Sequence, residues 1–139
     1  MKIATNIAGA LLGLIFIAVS LIVLLNLVHP PPLPEGTPAA LFMGAFVPTG
    51  YFAFVKVCEL IGGVLVAVPR TRNLGLLVLS PIILNILAFH ILIMKGQGLL
   101  GAPILVGLLA AFLLWSGRRA FYALIVSGDE TPRPTRVNA

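Results

Sequence analysis

The sequence predicts an all-α membrane protein, a four-transmembrane-helix bundle with a short interfacial helix between helices 1 and 2. Three observations predict it. Of 139 residues, 60% are hydrophobic and only 9% are charged, whereas a soluble domain carries about 25% charged residues. The apolar residues form long runs without the alternation of a transmembrane barrel, and in lipid a helix satisfies each backbone polar group within its own segment. The basic residues also sort by side. Lys2, Arg70, Arg72, Arg118, Arg119, Arg133 and Arg136 fall on one side of a four-span arrangement, and only Lys95 falls on the other. That bias predicts that both termini face the cytoplasm and the proline loop faces out. Three or five spans would scatter the same charges.

The first span covers about residues 4–28. It is longer than the apolar core of a secretory signal peptide and ends in Asn26-Leu27-Val28-His29-Pro30, so it is read as a retained helix. Gly9 and Gly13 form a GxxxG step, a spacing that lets another helix approach closely. For one isolated pair, the general abundance of glycine in membrane helices is the favoured explanation. The HPPPLPEGTP stretch from His29 to Pro38 cannot be helical, because proline lacks the amide donor and clashes with the preceding turn. Ala39–Val47 is apolar but too short to span, and Pro48-Thr49-Gly50 is a turn signal. A short interfacial or re-entrant helix is expected between them.

The second span is residues 51–68. At ~1.5 Å per residue it reaches roughly 27 Å, close to the hydrocarbon thickness of a bilayer. Pro69-Arg70-Thr71-Arg72-Asn73 is a tight basic turn, which makes spans two and three antiparallel neighbours. The third span, 74–94, contains Pro81, which is expected to kink it. After the Lys95-Gly96-Gln97-Gly98 turn, the fourth span covers about 99–116. Trp115 suits an interface, Arg118 and Arg119 stop the span, and residues 121–126 continue along the membrane surface. Residues 1–126 thus read as one domain and 127–139 as a disordered cytoplasmic tail.

The span that demands an explanation is the second, because it carries Lys56, Cys58 and Glu59. Lys56 lies near enough to the outer end to snorkel. Glu59 lies about one turn deeper and cannot. A charge at that depth costs about 2.5–3.5 kcal/mol on insertion scales. Positions 56 and 59 share a helix face, so an ion pair would lower the cost; protonation of Glu59 would do so too. Asn85 lies at a matching height on the third span, and His90 lies beyond it. Lys56, Glu59, Asn85 and His90 are therefore grouped as one candidate polar cluster. Each has a functional reading and a bland one, as interhelical hydrogen-bonding glue. Cys58, the only cysteine, reads as a small buried hydrophobe.

The exclusions are broad. One cysteine allows no internal disulfide and no zinc spacing. Two histidines are too few for a haem or a di-metal site, and no metal ligand set is assigned. No catalytic motif is present, so no catalytic residue is assigned. The net charge of +5 sits beside apolar segments and does not mark a nucleic-acid surface.

Two segments carry a family resemblance. VKVCELIGG at 55–63 resembles the K-x-x-E-x-x-G-G stretch of DoxX-like membrane proteins, and LSPIILNILAFH at 79–90 is similar to that family's P-x-x-x-N-x-x-x-F-H stretch. The proline loop followed by the TGY segment is similar in kind, and the likeness extends over about Ala4 to Trp115. It implies a compact four-helix membrane bundle. It maps the family pattern onto Lys56, Glu59, Gly62, Gly63, Pro81, Asn85, Phe89 and His90, with Gly62, Gly63 and Pro81 in packing and kink roles. The family takes its name from a subunit linked to thiosulfate:quinone oxidoreduction. Thiol-handling relatives use paired cysteines, which this chain lacks, so a dithiol mechanism within one chain is not expected.

The resulting expectation is a small subunit of a quinone-linked membrane redox assembly, set in lipid beside a redox enzyme or other membrane protein. The location expected is a bacterial inner membrane, with oligomerisation open. In that reading Glu59 relays a proton and His90 orients a quinone headgroup. A non-enzymatic assembly or chaperone-like module is the alternative. A small proton-linked carrier is a third, although no inverted repeat is visible.

Overall fold

The computed structural model describes residues 2–29 and 31–126; the predicted tail lies outside them. Among the described residues every regular element is helical. They are α1 (Lys2–Leu24), α2 (Pro38–Phe46), α3 (Tyr51–Ala67), α4 (Arg72–Ala88), a π-helical turn (Phe89–Ile93) continuing α4, and α5 (Ala102–Val126). Three helices are long and apolar enough to cross a membrane: α1, Arg72–Ile93 and α5. The pair α2 and α3, bent by 82° at their junction, supplies a fourth candidate if it counts as one span. These lengths and this apolarity point to an integral membrane protein.

Several ends differ from those the sequence predicts. The first helix stops at Leu24, not near residue 28. Asn26 adopts the left-handed conformation with φ 52°, its N–H donates to the Val23 carbonyl at 3.1 Å, and the Leu27 N–H donates to Ile22 at 2.9 Å. This is a Schellman closure, in which asparagine is the usual substitute for glycine. Asn26→Val is expected to lower stability by about 1–2 kcal/mol, since a β-branched residue resists that conformation, whereas Asn26→Gly should not. Thermal unfolding in detergent checks this; equal losses in both variants would disprove the backbone explanation.

The last helix starts at Ala102, not Leu99, and runs past Arg118 and Arg119 to Val126. Arginine is a good helix former, so it can end an apolar span without ending a helix. Arg118 folds back, with its guanidinium 4.8 Å from the Trp115 ring centroid and Nη1 donating to the Trp115 carbonyl at 3.0 Å. The third candidate span begins at Arg72 and ends at Ile93. Pro81 sits inside α4 without terminating it, and the neighbouring Ser80 hydroxyl donates to the Leu76 carbonyl. The short second helix forms but takes in Pro38, which the sequence reading left in the non-helical loop: proline fits the first helical position, where no amide donor is needed. Thr37 is its N-cap, with Oγ1 accepting from the Ala40 N–H at 3.2 Å.

The four main helices alternate in direction. Gly13 faces Gly63, Gly75 abuts Val66, and Gly107 faces Leu87. On α1 the buried residues Ala8, Gly9, Leu12, Gly13, Phe16 and Ser20 form one stripe, spaced as a single helix face requires. On α3 the stripe is Lys56, Glu59, Gly62, Gly63 and Val66. That face offers the core one large apolar side chain, two glycines and an ion pair. The glycines explain how α3 can sit at the centre. A Cβ on Gly13 would lie 2.5 Å from the Gly63 carbonyl oxygen, and one on Gly62 would lie 2.7 Å from Leu79 side-chain atoms. Small residues thus bring α1, α3 and α4 together where lipid supplies no hydrophobic drive. Leu12, Phe16, Leu76, Leu79, Ile83, Val106 and Leu113 fill the remaining core. Outward residues such as Ile7, Leu14, Ile61, Leu84 and Leu108 are exposed and apolar.

Candidate functional site

Lys56 and Glu59 form a buried ion pair. Lys56 Nζ donates to Glu59 Oε2 at 2.7 Å, and the residues are only 8% and 2% exposed. The helical spacing of three brings them together. Lys56 therefore does not snorkel; its ammonium stays inside, 5.3 Å from the Phe52 ring centroid, where ring and cation attract. The same Oε2 accepts from Ser20 Oγ on α1 at 3.5 Å. Ser20 is fully buried, and sequence reading missed it. It ends the buried stripe of α1, 39 residues from Glu59, and no local pattern pairs the two.

The ion pair lies on the wall of a cavity of about 430 Å³, within the ~300–1,000 Å³ range of small-molecule pockets. Asn85 and His90 line the same cavity, so all four polar residues of the sequence-derived cluster border one space. Glu59 and Asn85 make no hydrogen bond with each other among the described residues; Glu59 is held by Lys56 and Ser20. Pro81 and Ile82 form part of the α4 wall. Cys58 is half-buried and not part of the wall.

The remaining wall is largely aromatic, and most of it was not singled out in the sequence. Phe42 and Phe46 stack at 4.3 Å between centroids, Phe42 meets Phe89 at 5.2 Å, and Phe46 meets Tyr51 edge-on at 4.8 Å. Phe42 and Phe46 are four apart on α2, hence on one face. The sharp bend at residues 47–50, with Gly50 at φ 76°, turns that face over the cavity. The available signal was this i, i+4 aromatic pair on a helix too short to span.

The π-helical turn shapes the last side. The Met94 N–H donates to the Phe89 carbonyl, five residues back, at 2.9 Å. Such a widened turn redirects the side chains beyond it and is frequent at functional sites. His90 Nδ1 lies 2.8 Å from the Ile86 carbonyl oxygen. A carbonyl only accepts, so Nδ1 carries the proton. In the neutral ring Nε2 is then an acceptor. His90 thus offers the cavity a proton acceptor, while the Asn85 amide, which makes no side-chain hydrogen bond among the described residues, offers donors and an acceptor.

Among the described residues no three His, Cys, Asp or Glu side chains gather into a metal-binding group. Comparisons with protein-family models, curated proteins and solved structures find no match to this chain.

Proposed function

We propose that this chain is a four-span, DoxX-like protein of a bacterial inner membrane, with both termini cytoplasmic, and that it acts as a small quinone-linked subunit beside a membrane redox enzyme. The observation that carries the reading is the composition of the 430 Å³ cavity. Its aromatic residues suit a flat ring, and Lys56, Glu59, Asn85 and His90 also line it. The Asn85 amide can donate to a ring carbonyl. With Nδ1 committed to Ile86, the Nε2 of an uncharged His90 ring would accept from a ring hydroxyl. The site is therefore matched to the reduced, hydroxyl-bearing form at His90 and to a carbonyl at Asn85. A bound quinone would supply electron and proton transfer. The protein's part is to hold the ring, exclude water and place Glu59, beside Lys56, where a proton can be taken up or released.

The test is saturable binding of a benzoquinone with a decyl tail, and of its quinol, to the full-length protein in nanodiscs. His90→Phe is expected to weaken quinol binding roughly tenfold, the equivalent of one lost hydrogen bond, and Asn85→Leu to weaken quinone binding by a similar factor. No saturable binding, or unchanged binding in both variants, would remove this reading.

One observation favours the alternative of an assembly module. The Ser20–Glu59–Lys56 contacts tie α1 to α3, which is what interhelical glue does. That reading predicts loss of folding and partner capture together, with no ligand effect.

A further inference from the structure

We propose that the other, basic end of the bundle carries a second site, a pocket for a phosphate group built on Arg72 and Lys2. A cavity of about 400 Å³ lies there, lined by Lys2, Thr5, Asn6, Pro69, Arg72 and Ser116. It gathers the start of α1, the α3–α4 turn and the later half of α5, far along the helices from the aromatic cavity.

Arg72 is the reason to expect an anion. It is only 8% exposed, so its charge is largely withdrawn from water. Its Nη2 donates to the Asn6 side-chain oxygen at 3.0 Å, a neutral partner. Its Nε is sealed off with no hydrogen-bond partner, the only such buried side-chain nitrogen or oxygen among the described residues. A buried guanidinium without a counter-charge is costly, and among the described residues nothing supplies one. Of the two described acidic residues, Glu59 is bound to Lys56 and Glu35 lies in the proline loop at the opposite end. The basic end instead adds Lys2, Arg70, Arg118 and Arg119.

The pocket is also shaped for the guanidinium. A Cβ at Gly9 would lie 2.6 Å from Arg72 Nε and 3.0 Å from the Val66 carbonyl oxygen, so glycine lets the Arg72 side chain lie directly against α1. A planar guanidinium suits the paired oxygens of a phosphate, and the Lys2 ammonium adds a second, mobile charge. A phosphate has two sources here: the headgroup of an anionic lipid, at the end of helices whose flanks are apolar, or free phosphate in solution.

The experiment uses the full-length protein, purified in neutral detergent and stripped of lipid. Phosphatidylglycerol and phosphatidylcholine are titrated separately with native mass spectrometry as the readout, and inorganic phosphate is added alone with thermal unfolding as the readout. Phosphatidylglycerol is expected to bind roughly tenfold tighter than phosphatidylcholine, as one charge-assisted contact requires. Arg72→Gln should abolish that preference. Lys2→Gln, at an exposed position that leaves the fold intact, should reduce it and keeps the test valid if Arg72→Gln does not fold. Stabilisation by inorganic phosphate, lost in Lys2→Gln, assigns the pocket to the free anion; a lipid preference without it assigns the pocket to the headgroup. Absence of both effects, or effects that survive Lys2→Gln and any folded Arg72→Gln protein, would overturn the proposal.

Discussion

Glu59→Leu is expected to destabilise the folded chain by about 3 kcal/mol or more, the usual cost of leaving one member of a buried ion pair uncompensated. Lys56 would keep its ammonium inside, with its sole ion-pair partner gone and Ser20 left without an acceptor. The double variant Lys56→Met/Glu59→Leu removes both charges at similar volume. It is expected to return to within about 1 kcal/mol of the parent, since apolar replacements of buried pairs are often neutral or stabilising. Unfolding in mixed detergent–dodecyl sulfate micelles measures both. A single variant that loses less than about 0.5 kcal/mol would show that the ammonium escapes to the interface, as exposed lysines do. The double variant also separates the two functional readings. Folded but unable to bind the decyl-tailed quinol, it supports a ligand site; folded and binding normally, it reduces the pair to glue between α1 and α3.

The shared face of Lys56 and Glu59 was legible because it is local, two residues three apart on one helix; whether they pair as ions or Glu59 is protonated was not. The same reasoning could not find Ser20, whose relation to Glu59 exists only once α1 and α3 pack antiparallel. Helix α2 shows the same division. Its existence follows from the short apolar run at 39–47 and the turn at 48–50, but its role as an aromatic wall depends on the 82° bend, which no residue pattern specifies. The end of α1 and the start of α5 were missed for a different reason. Hydropathy marks where lipid contact stops, whereas helices stop at caps. Asn26 ends α1 inside an apolar run, and Arg118 and Arg119 continue α5 beyond one. The π turn at Phe89–Ile93 has no sequence signature at all, yet it sets the environment of His90. Height matching between the second and third spans grouped Asn85 and His90 with Glu59, and the cavity that all of them line supports the proposed site.

Gly75→Ala is expected to be the most damaging single-methyl addition in the chain. The three nearest atoms to a Cβ there are all backbone, in Leu65 and Val66, and all lie within 2.8 Å. Backbone cannot swing aside as a side chain can, so α4 must move away from α3. Overpacking of this kind costs about 1–3 kcal/mol, occasionally more, and it opposes the gain of about 1 kcal/mol from replacing glycine by alanine in a helix. With backbone at all three nearest points the packing cost should reach its upper range, for a net loss of about 2 kcal/mol. Two companions set the scale. At Gly62 the closest obstruction is the Leu79 side chain, which can rotate, so Gly62→Ala should come out near neutral. At Gly44 nothing lies within 4 Å, so Gly44→Ala should stabilise. The shift in α4 also reaches the proposed site, because Pro81, Ile82 and Asn85 ride on the same helix. Gly75→Ala should therefore weaken quinone binding without touching the ligand, while Gly44→Ala leaves it unchanged. If Gly75→Ala proves as stable as Gly44→Ala, α3 and α4 do not approach as closely as the glycine implies, and the placement of Asn85 opposite Glu59 loses its support.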